Sequence, residues 1–322
     1  MNRRGIITFL LLSLFVFIGL ALYGDLPELL WQISSFPVVY WFIVLGLASV
    51  NYLVRLVRWQ YYLRLLDIRI DTKASAAIFL SGLSMTVSPG RLGELAKSYF
   101  LKEKMNVPVA VSSSAVVAER VTDMIAVLLL SLWGLTLIPY GWAIAPVILT
   151  GFGSFILLLK TAWGRGTLLK LPLPGRWRPF LDTSSESFRQ VFSLKPLVLA
   201  ILLGVAAWLA EGIALWLVLR GLDTPISLVQ AVSIYSAATL LGAITMLPGG
   251  LIGTEGGMVA LLRQVELAKT PASTATFVIR VCTLWFAVLI GLLALAYVQM
   301  RVPKGAVHQP LTLNTETPVQ PG

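Results

Sequence analysis

The chain of 322 residues has one cysteine, Cys282, and one histidine, His308. A single thiol excludes an intrachain disulfide. His308 lies in the Pro-rich tail beyond the last apolar run, which removes His-based phosphatases, Ser-His proteases and His-ligated zinc enzymes from consideration. Charge is scarce too: 12% of residues are charged against 57% hydrophobic. A water-soluble fold cannot solvate that much apolar surface, so the class is integral membrane. No G-x-x-x-x-G-K-[ST] string occurs, which argues against ATP-driven pumping by this chain alone. No basic-aromatic strand pattern points to nucleic acid, and the net charge of +10 reads as loops facing anionic lipid. No metal ligand set and no cofactor are expected.

Long apolar runs fill most of the chain. Spanning the hydrocarbon takes roughly 20 apolar residues in a helix. Six stretches qualify or come close: about 5–24, 38–57, 110–137, 141–160, 196–219 and 274–300. The first run follows Arg3 and Arg4 and is long for a signal sequence without a clear cleavage site, so it reads as an uncleaved first helix. The ten tryptophans are a supply for the interfacial belts.

Two further apolar regions are broken. The run 74–88 meets Pro89-Gly90-Arg91-Leu92-Gly93-Glu94 and continues only to about Leu101. The run 229–247 meets Pro248-Gly249-Gly250-Leu251-Ile252-Gly253-Thr254-Glu255 and continues to about Leu262. Proline removes a helical donor and glycine weakens the helix, so both regions read as re-entrant helical hairpins. Each break is followed by a helix carrying an arginine: Arg120 lies 31 positions after Pro89 (120 − 89) and Arg280 lies 32 after Pro248 (280 − 248). Duplicated breaks of this kind point to a transport site near the bilayer midplane.

Lys and Arg crowd the 58–73, 102–104 and 160–195 segments and are absent from 24–37 and 139–141, which places both termini in the cytoplasm of a cell (inner) membrane protein. Three crossings separate the hairpins, so they enter from opposite faces. The predicted architecture is all-α, with six spanning helices and two re-entrant hairpins in an inverted repeat. One transmembrane domain covers 1–302, with repeat 1 at about 38–137, repeat 2 at about 196–300 and a cytoplasmic linker at about 160–195; 303–322 reads as a disordered tail. Within the linker, Trp177, Phe180, Leu181, Phe188, Val191 and Phe192 have the spacing of a helix lying on the interface.

Glu119, Arg120 and Asp123 sit inside the 110–137 span. Glu119 and Asp123 share a face at i and i+4. Ionisable groups there cost a few kcal/mol each unless they pair or face water. Their sum is −1, so a cation should approach them, with Arg280 the natural candidate and Arg91 another. A purely structural lock between helices is the competing reading. Glu94 and Glu255 follow the breaks. Each offsets a positive helix end, or helps line a polar cavity in which backbone N–H groups of Gly90–Gly93 and Gly249–Gly253 hold a phosphate. Arg55 and Arg58 close the second helix and could meet headgroups; Arg58 and Trp59 also fit simple interfacial anchors.

These pieces together, Arg55-x-x-Arg58-Trp59, Pro89 to Glu94, Glu119-Arg120-x-x-Asp123, Pro248 to Glu255 and Arg280, resemble the flippase-like domain family, whose members match the transmembrane region of lysylphosphatidylglycerol synthase. The resemblance spans nearly all of residues 5–300. It implies movement of a lipid between leaflets and gives no support for aminoacyl transfer, because the soluble transferase domain of the synthase is missing. Ile252 stands where the family pattern more often has glycine. The expected function is therefore a lipid flippase or transporter rather than an enzyme. Its partner would be a membrane lipid with a phosphate headgroup, either a phospholipid or a polyprenyl-phosphate conjugate. The expected substrate-binding residues are Arg91, Glu94, Glu119, Arg120, Asp123, Gly249, Gly250, Glu255 and Arg280, with Arg55 and Arg58 at the headgroup access. The alternative is a membrane enzyme, or an accessory subunit, of glycosyl transfer onto lipid-linked sugars, acting with a lipid-modifying or glycosyltransferase partner.

Overall fold

The computed structural model describes residues 14–88, 93–160, 177–224 and 226–302. Pro89 to Leu92, including Arg91, the first half of the linker and the tail with His308 lie outside the described residues. All regular structure among the described residues is helical. The helices are α1 (Leu14–Tyr23), α2 (Leu26–Ser35), α3 (Val38–Leu65), α4 (Thr72–Leu83), α5 (Ala96–Met105), α6 (Val109–Leu135) and α7 (Gly141–Lys160). They continue with α8 (Trp177–Val191), α9 (Leu194–Gly221), α10 (Leu228–Ile244), α11 (Gly253–Gln264), α12 (Lys269–Arg280) and α13 (Phe286–Arg301).

Four helical stretches are long and apolar enough to cross a bilayer: Val38–Leu65, Gly141–Leu158, Leu194–Gly221 and Lys269–Arg301. The last is continuous through a π-helical turn at Val281–Trp285 that joins α12 to α13. The bent pair α1 and α2 would make a fifth. The expected span at 110–137 appears as α6, which has 27 residues but carries Glu119, Arg120 and Asp123, so its composition alone does not qualify it.

The expected 24–37 loop is instead mostly helix. The chain turns by 100° between α1 and α2. Asp25 takes φ 67 at the corner and caps α2 by accepting the Glu28 N–H, while Pro27 sits in the first turn. A side chain at Gly24 would meet Ser273 Cβ at 2.8 Å, so the corner packs tightly on α12. The Thr270 hydroxyl donates to the Gly24 carbonyl there. The expected linker helix is present as α8. The described end of α8 packs on α6, with Phe188 and Val191, and Phe192 just beyond, buried in one core with Trp59 and Tyr62. The side chains of Trp177, Phe180 and Leu181 lie outside the described residues.

The second predicted break is present, and the first, at Pro89 to Leu92, lies outside the described residues between α4 and α5. α4 tightens into a 3₁₀ turn at Ser84–Val87, and α10 ends before a 3₁₀ turn at Pro248–Gly250. The two turns lie against each other. Gly249 and Gly250 adopt φ 66 and 69, conformations that disfavour a β-carbon. Among helices that are not neighbours in the chain, the most extensive pairings are α3 with α9, α6 with α10 and α4 with α13. Thus α6 packs on the helix that precedes the turn at Pro248–Gly250, and α13 packs on the helix that precedes the turn at Ser84–Val87. Asn51 Nδ2 donates to the Ala207 carbonyl at 2.9 Å across the α3–α9 contact.

Two positions test these contacts. A β-carbon on Gly291 of α13 would collide with the Ser84 backbone, whereas one on Gly46 of α3 meets no described atom within 4 Å. Gly291→Val is therefore expected to lose about 2 kcal/mol or more through overpacking, read as a lower melting temperature in detergent, while Gly46→Val keeps it. Equal melting of the two variants would contradict the close approach. Ile252 has φ 69 and ψ −54, and the Gly253 N–H donates to the Leu251 carbonyl at 2.8 Å, the geometry of a strained γ-turn. A β-branched residue is poorly suited to that conformation. Ile252→Gly is expected to stabilise the fold by about 1 kcal/mol; a fall in melting temperature would contradict the strain.

Candidate functional site

Charges inside the helical bundle form two clusters, one around each broken helix pair. In the first, Arg120 Nη2 lies 3.0 Å from Glu94 Oε2 and 2.9 Å from Asp123 Oδ2. Arg55 Nη2 is 3.8 Å from Glu94 and 3.7 Å from Asp123. Arg58 Nη2 donates to Asp123 Oδ1 at 2.6 Å. Glu119 Oε2 accepts from Lys97 Nζ at 2.5 Å. In the second cluster, Arg280 Nε donates to Glu255 Oε1 at 2.6 Å and Nη2 donates to the Gly249 carbonyl at 2.8 Å. Each arginine thus holds the glutamate that follows its own break.

The expectation that Arg280 neutralises the α6 carboxylates is not met. Arg55 and Arg58 from α3 and Lys97 from α5 do so, and Arg280 is taken by Glu255. Arg91 lies outside the described residues. Arg58 and Trp59 do not occupy an exposed interfacial position either. Both are 0% exposed, because Arg58 is tied to Asp123 and Trp59 packs beside Phe79. Lys97 went unrecognised in the sequence reading. It lies 4.8 Å from the Trp59 ring centroid and 5.1 Å from that of Phe79, so two aromatic faces and a carboxylate surround a buried ammonium.

A cavity of about 300 Å³ lies between the clusters. Arg55, Arg120 and Asp123 reach it from α3 and α6, and Gly249, Gly250 and Arg280 from the Pro248–Gly250 turn and α12. Glu94, Glu119, Glu255 and Arg58 are not among its lining residues; they stand behind the groups that are. The wall also holds Glu211, whose Oε2 accepts the Tyr235 hydroxyl at 2.5 Å, with Trp208 one turn away on the same helix. Glu211 was legible in principle: an acidic residue inside the apolar 196–219 run marks a polar interior. Tyr52 and Thr86 line the cavity as well.

Physically, the cavity presents guanidinium groups held in place by buried carboxylates. Such an arrangement is preorganised for an anion, because the arginines need little reordering when one arrives. The partial exposure of Arg120, 24% for its side chain, leaves it accessible where Arg280, at 5%, is almost enclosed. The π-helical turn directly after Arg280 re-aims the helix at this point, a feature frequent at functional sites.

The chain is similar to several membrane proteins over most of its length. The chain is 25% identical to a UPF0104 membrane protein of Methanothermobacter thermautotrophicus, over 81% of this chain and 83% of the relative. Two UPF0104 membrane proteins of Methanocaldococcus jannaschii are 24% and 22% identical, covering 67% and 93% of this chain and 94% and 95% of their own lengths. The family described as the lysylphosphatidylglycerol synthase TM region matches residues 6–291. With that match over most of its length and a helical membrane fold, the chain belongs to the lysylphosphatidylglycerol synthase TM region family.

Proposed function

We propose that this protein moves a lipid with an anionic phosphate headgroup between the leaflets of the cell membrane. The observation that carries the reading is the meeting of Arg55 and Arg120 from one half with Arg280 from the other around a single cavity beside the two touching helix breaks. The phosphate sits against these arginines, and the Gly249–Gly250 turn supplies close backbone approach. The carboxylates are spent on holding the arginines, which fits binding better than acid–base chemistry on a lipid-linked sugar.

The same reading takes the protein as six crossings and two hairpins in an inverted repeat, with both termini cytoplasmic. Contacts at the two ends of the Lys269–Arg301 stretch support the inversion. Near its start, Thr270 bonds Gly24 at the α1–α2 corner; past its end, the Val302 carbonyl accepts from Lys104 Nζ at 2.9 Å. The end of the first broken pair and the end of the second therefore lie at opposite ends of one long helix. Gly221 lies against Phe36 and Tyr40, consistent with the same sidedness.

Transport is tested in liposomes with a leaflet-resolved assay of a labelled phospholipid. Arg120→Gln and the paired variant Arg280→Gln/Glu255→Gln, which leaves no buried charge alone, are expected to slow movement about tenfold or more while eluting as folded protein. Wild-type rates from both would refute the site. Sidedness is tested with single cysteines at Lys102 and Glu266 in a background whose native Cys282 is buried. Impermeant thiol reagents are expected to label the two positions from opposite faces, and labelling from one face would refute the inversion.

A further inference from the structure

The charges around the cavity are already balanced. Ion pairs tie four carboxylates, those of Glu94, Glu119, Asp123 and Glu255, to four arginines and one lysine. Glu211 on the cavity wall is a fifth carboxylate. Among the described residues at the cavity, five cations therefore meet five carboxylates. Lys104, a further buried cation, stands past the end of α13, where it donates to the Val302 carbonyl. A phosphodiester headgroup entering among the arginines adds one negative charge to a neutral set. An uncompensated charge inside a helical bundle is costly, so a positive charge should enter with it. A carboxylate beside an arriving anion is driven toward its neutral form, and a proton on one carboxylate restores the balance.

Two observations single out Glu211. Asp123 and Glu211 line the cavity, whereas Glu94, Glu119 and Glu255 do not. Protonating Asp123 would break its contacts with Arg58 at 2.6 Å and Arg120 at 2.9 Å and leave guanidinium groups inside the bundle without their anion. Glu211 accepts the Tyr235 hydroxyl at 2.5 Å through Oε2, a hydrogen bond that a neutral carboxyl keeps. Once protonated, the group also becomes a donor, which is what a phosphate oxygen requires. The helix carrying Glu211, α9, packs on α3, α6, α10 and α12. The titratable groups these helices bring to the same cavity are Tyr52 and Arg55, Arg120 and Asp123, Tyr235, and Arg280. On α8, which also touches α9, Glu186 and Arg189 form an exposed pair with each other. An anion among the three cavity guanidinium groups offsets the positive field in which the Glu211 carboxylate sits.

We infer that Glu211 takes up one proton from the aqueous phase when a headgroup binds, so that lipid and proton cross together. The proton goes to a carboxylate oxygen of Glu211 and returns to water when the lipid leaves; no other bond forms or breaks. The inference rests on the reading of this cavity as a headgroup site.

Calorimetric titration of the full chain in detergent with dihexanoylphosphatidylglycerol tests it, in buffers of different ionisation enthalpy. The phosphodiester of this lipid does not titrate near neutral pH, so protons taken up go to the protein. Wild-type protein is expected to take up about one proton per lipid, with its affinity falling by up to about tenfold per pH unit as the pH is raised. Glu211→Gln is expected to bind with a pH-independent affinity and no uptake, and Glu211→Asp to keep the uptake. Binding to the wild type without proton uptake overturns the inference, as does uptake that persists in Glu211→Gln. Infrared spectra keep the test decisive should the glutamine variant not fold. A protonated carboxyl band is expected to appear when lipid binds and to shift in Glu211→Asp, and its absence overturns the inference. Arg120→Gln separates the two readings. Wild-type affinity in that variant, or no binding by the wild type, overturns the headgroup reading and this inference with it. Binding that needs Arg120 but takes up no proton leaves the headgroup reading standing alone.

Discussion

A charge in hydrocarbon is so costly that every ionisable residue on these helices must find its partner within the bundle, and that requirement organises the rest of the structure. α6 shows this most clearly. Its three ionisable residues keep its composition from qualifying it as a span, yet each is answered by a neighbour: Glu119 by Lys97, Asp123 by Arg58 and Arg120, and Arg120 by Glu94. These pairs fasten α6 to α3 and to the segment after the first break. A pair of this kind contributes little net stability compared with a well-packed apolar contact, but removing one member leaves a buried charge alone. The network thus fixes which helices can be neighbours more than how tightly they hold.

The helix breaks follow from the same economy. Interrupting a helix inside a membrane frees backbone donors and acceptors that lipid cannot satisfy, so broken backbone is tolerated only where protein or a polar cavity receives it. The Gly249 carbonyl is received by Arg280, and the glycine geometry at 249 and 250 lets the turn lie against Ser84–Val87. The polar cavity forms beside these two turns, where Arg55, Arg120 and Arg280 converge.

Two cavities flank the Glu255–Arg280 pair. One is lined by arginines and aromatic residues. The other is lined largely by apolar side chains and two glycines, and the ion pair of Glu255 and Arg280 forms the partition. The α1–α2 corner closes one end of this region against α12, so a helix that looked like a simple first span also shapes a wall.

The amino-acid sequence by itself determined the membrane class, the two Pro-Gly breaks and the identity of Arg120, Asp123 and Arg280 as interior charges, because hydropathy, helix-breaking residues and the cost of ionisable groups in lipid are properties of local sequence. Lys97 was not singled out because its segment is short and polar, and Glu211 was passed over within an otherwise uniform apolar run. Pairing was the part that only tertiary structure decided. Which cation meets Asp123, whether Arg58 faces headgroups or is sealed at 0% exposure, and whether Arg280 serves the other half or its own break all depend on helices far apart in the chain. Charges of equal sign are interchangeable in a sequence; in a packed bundle the helix rotations and the reach of each side chain choose among them.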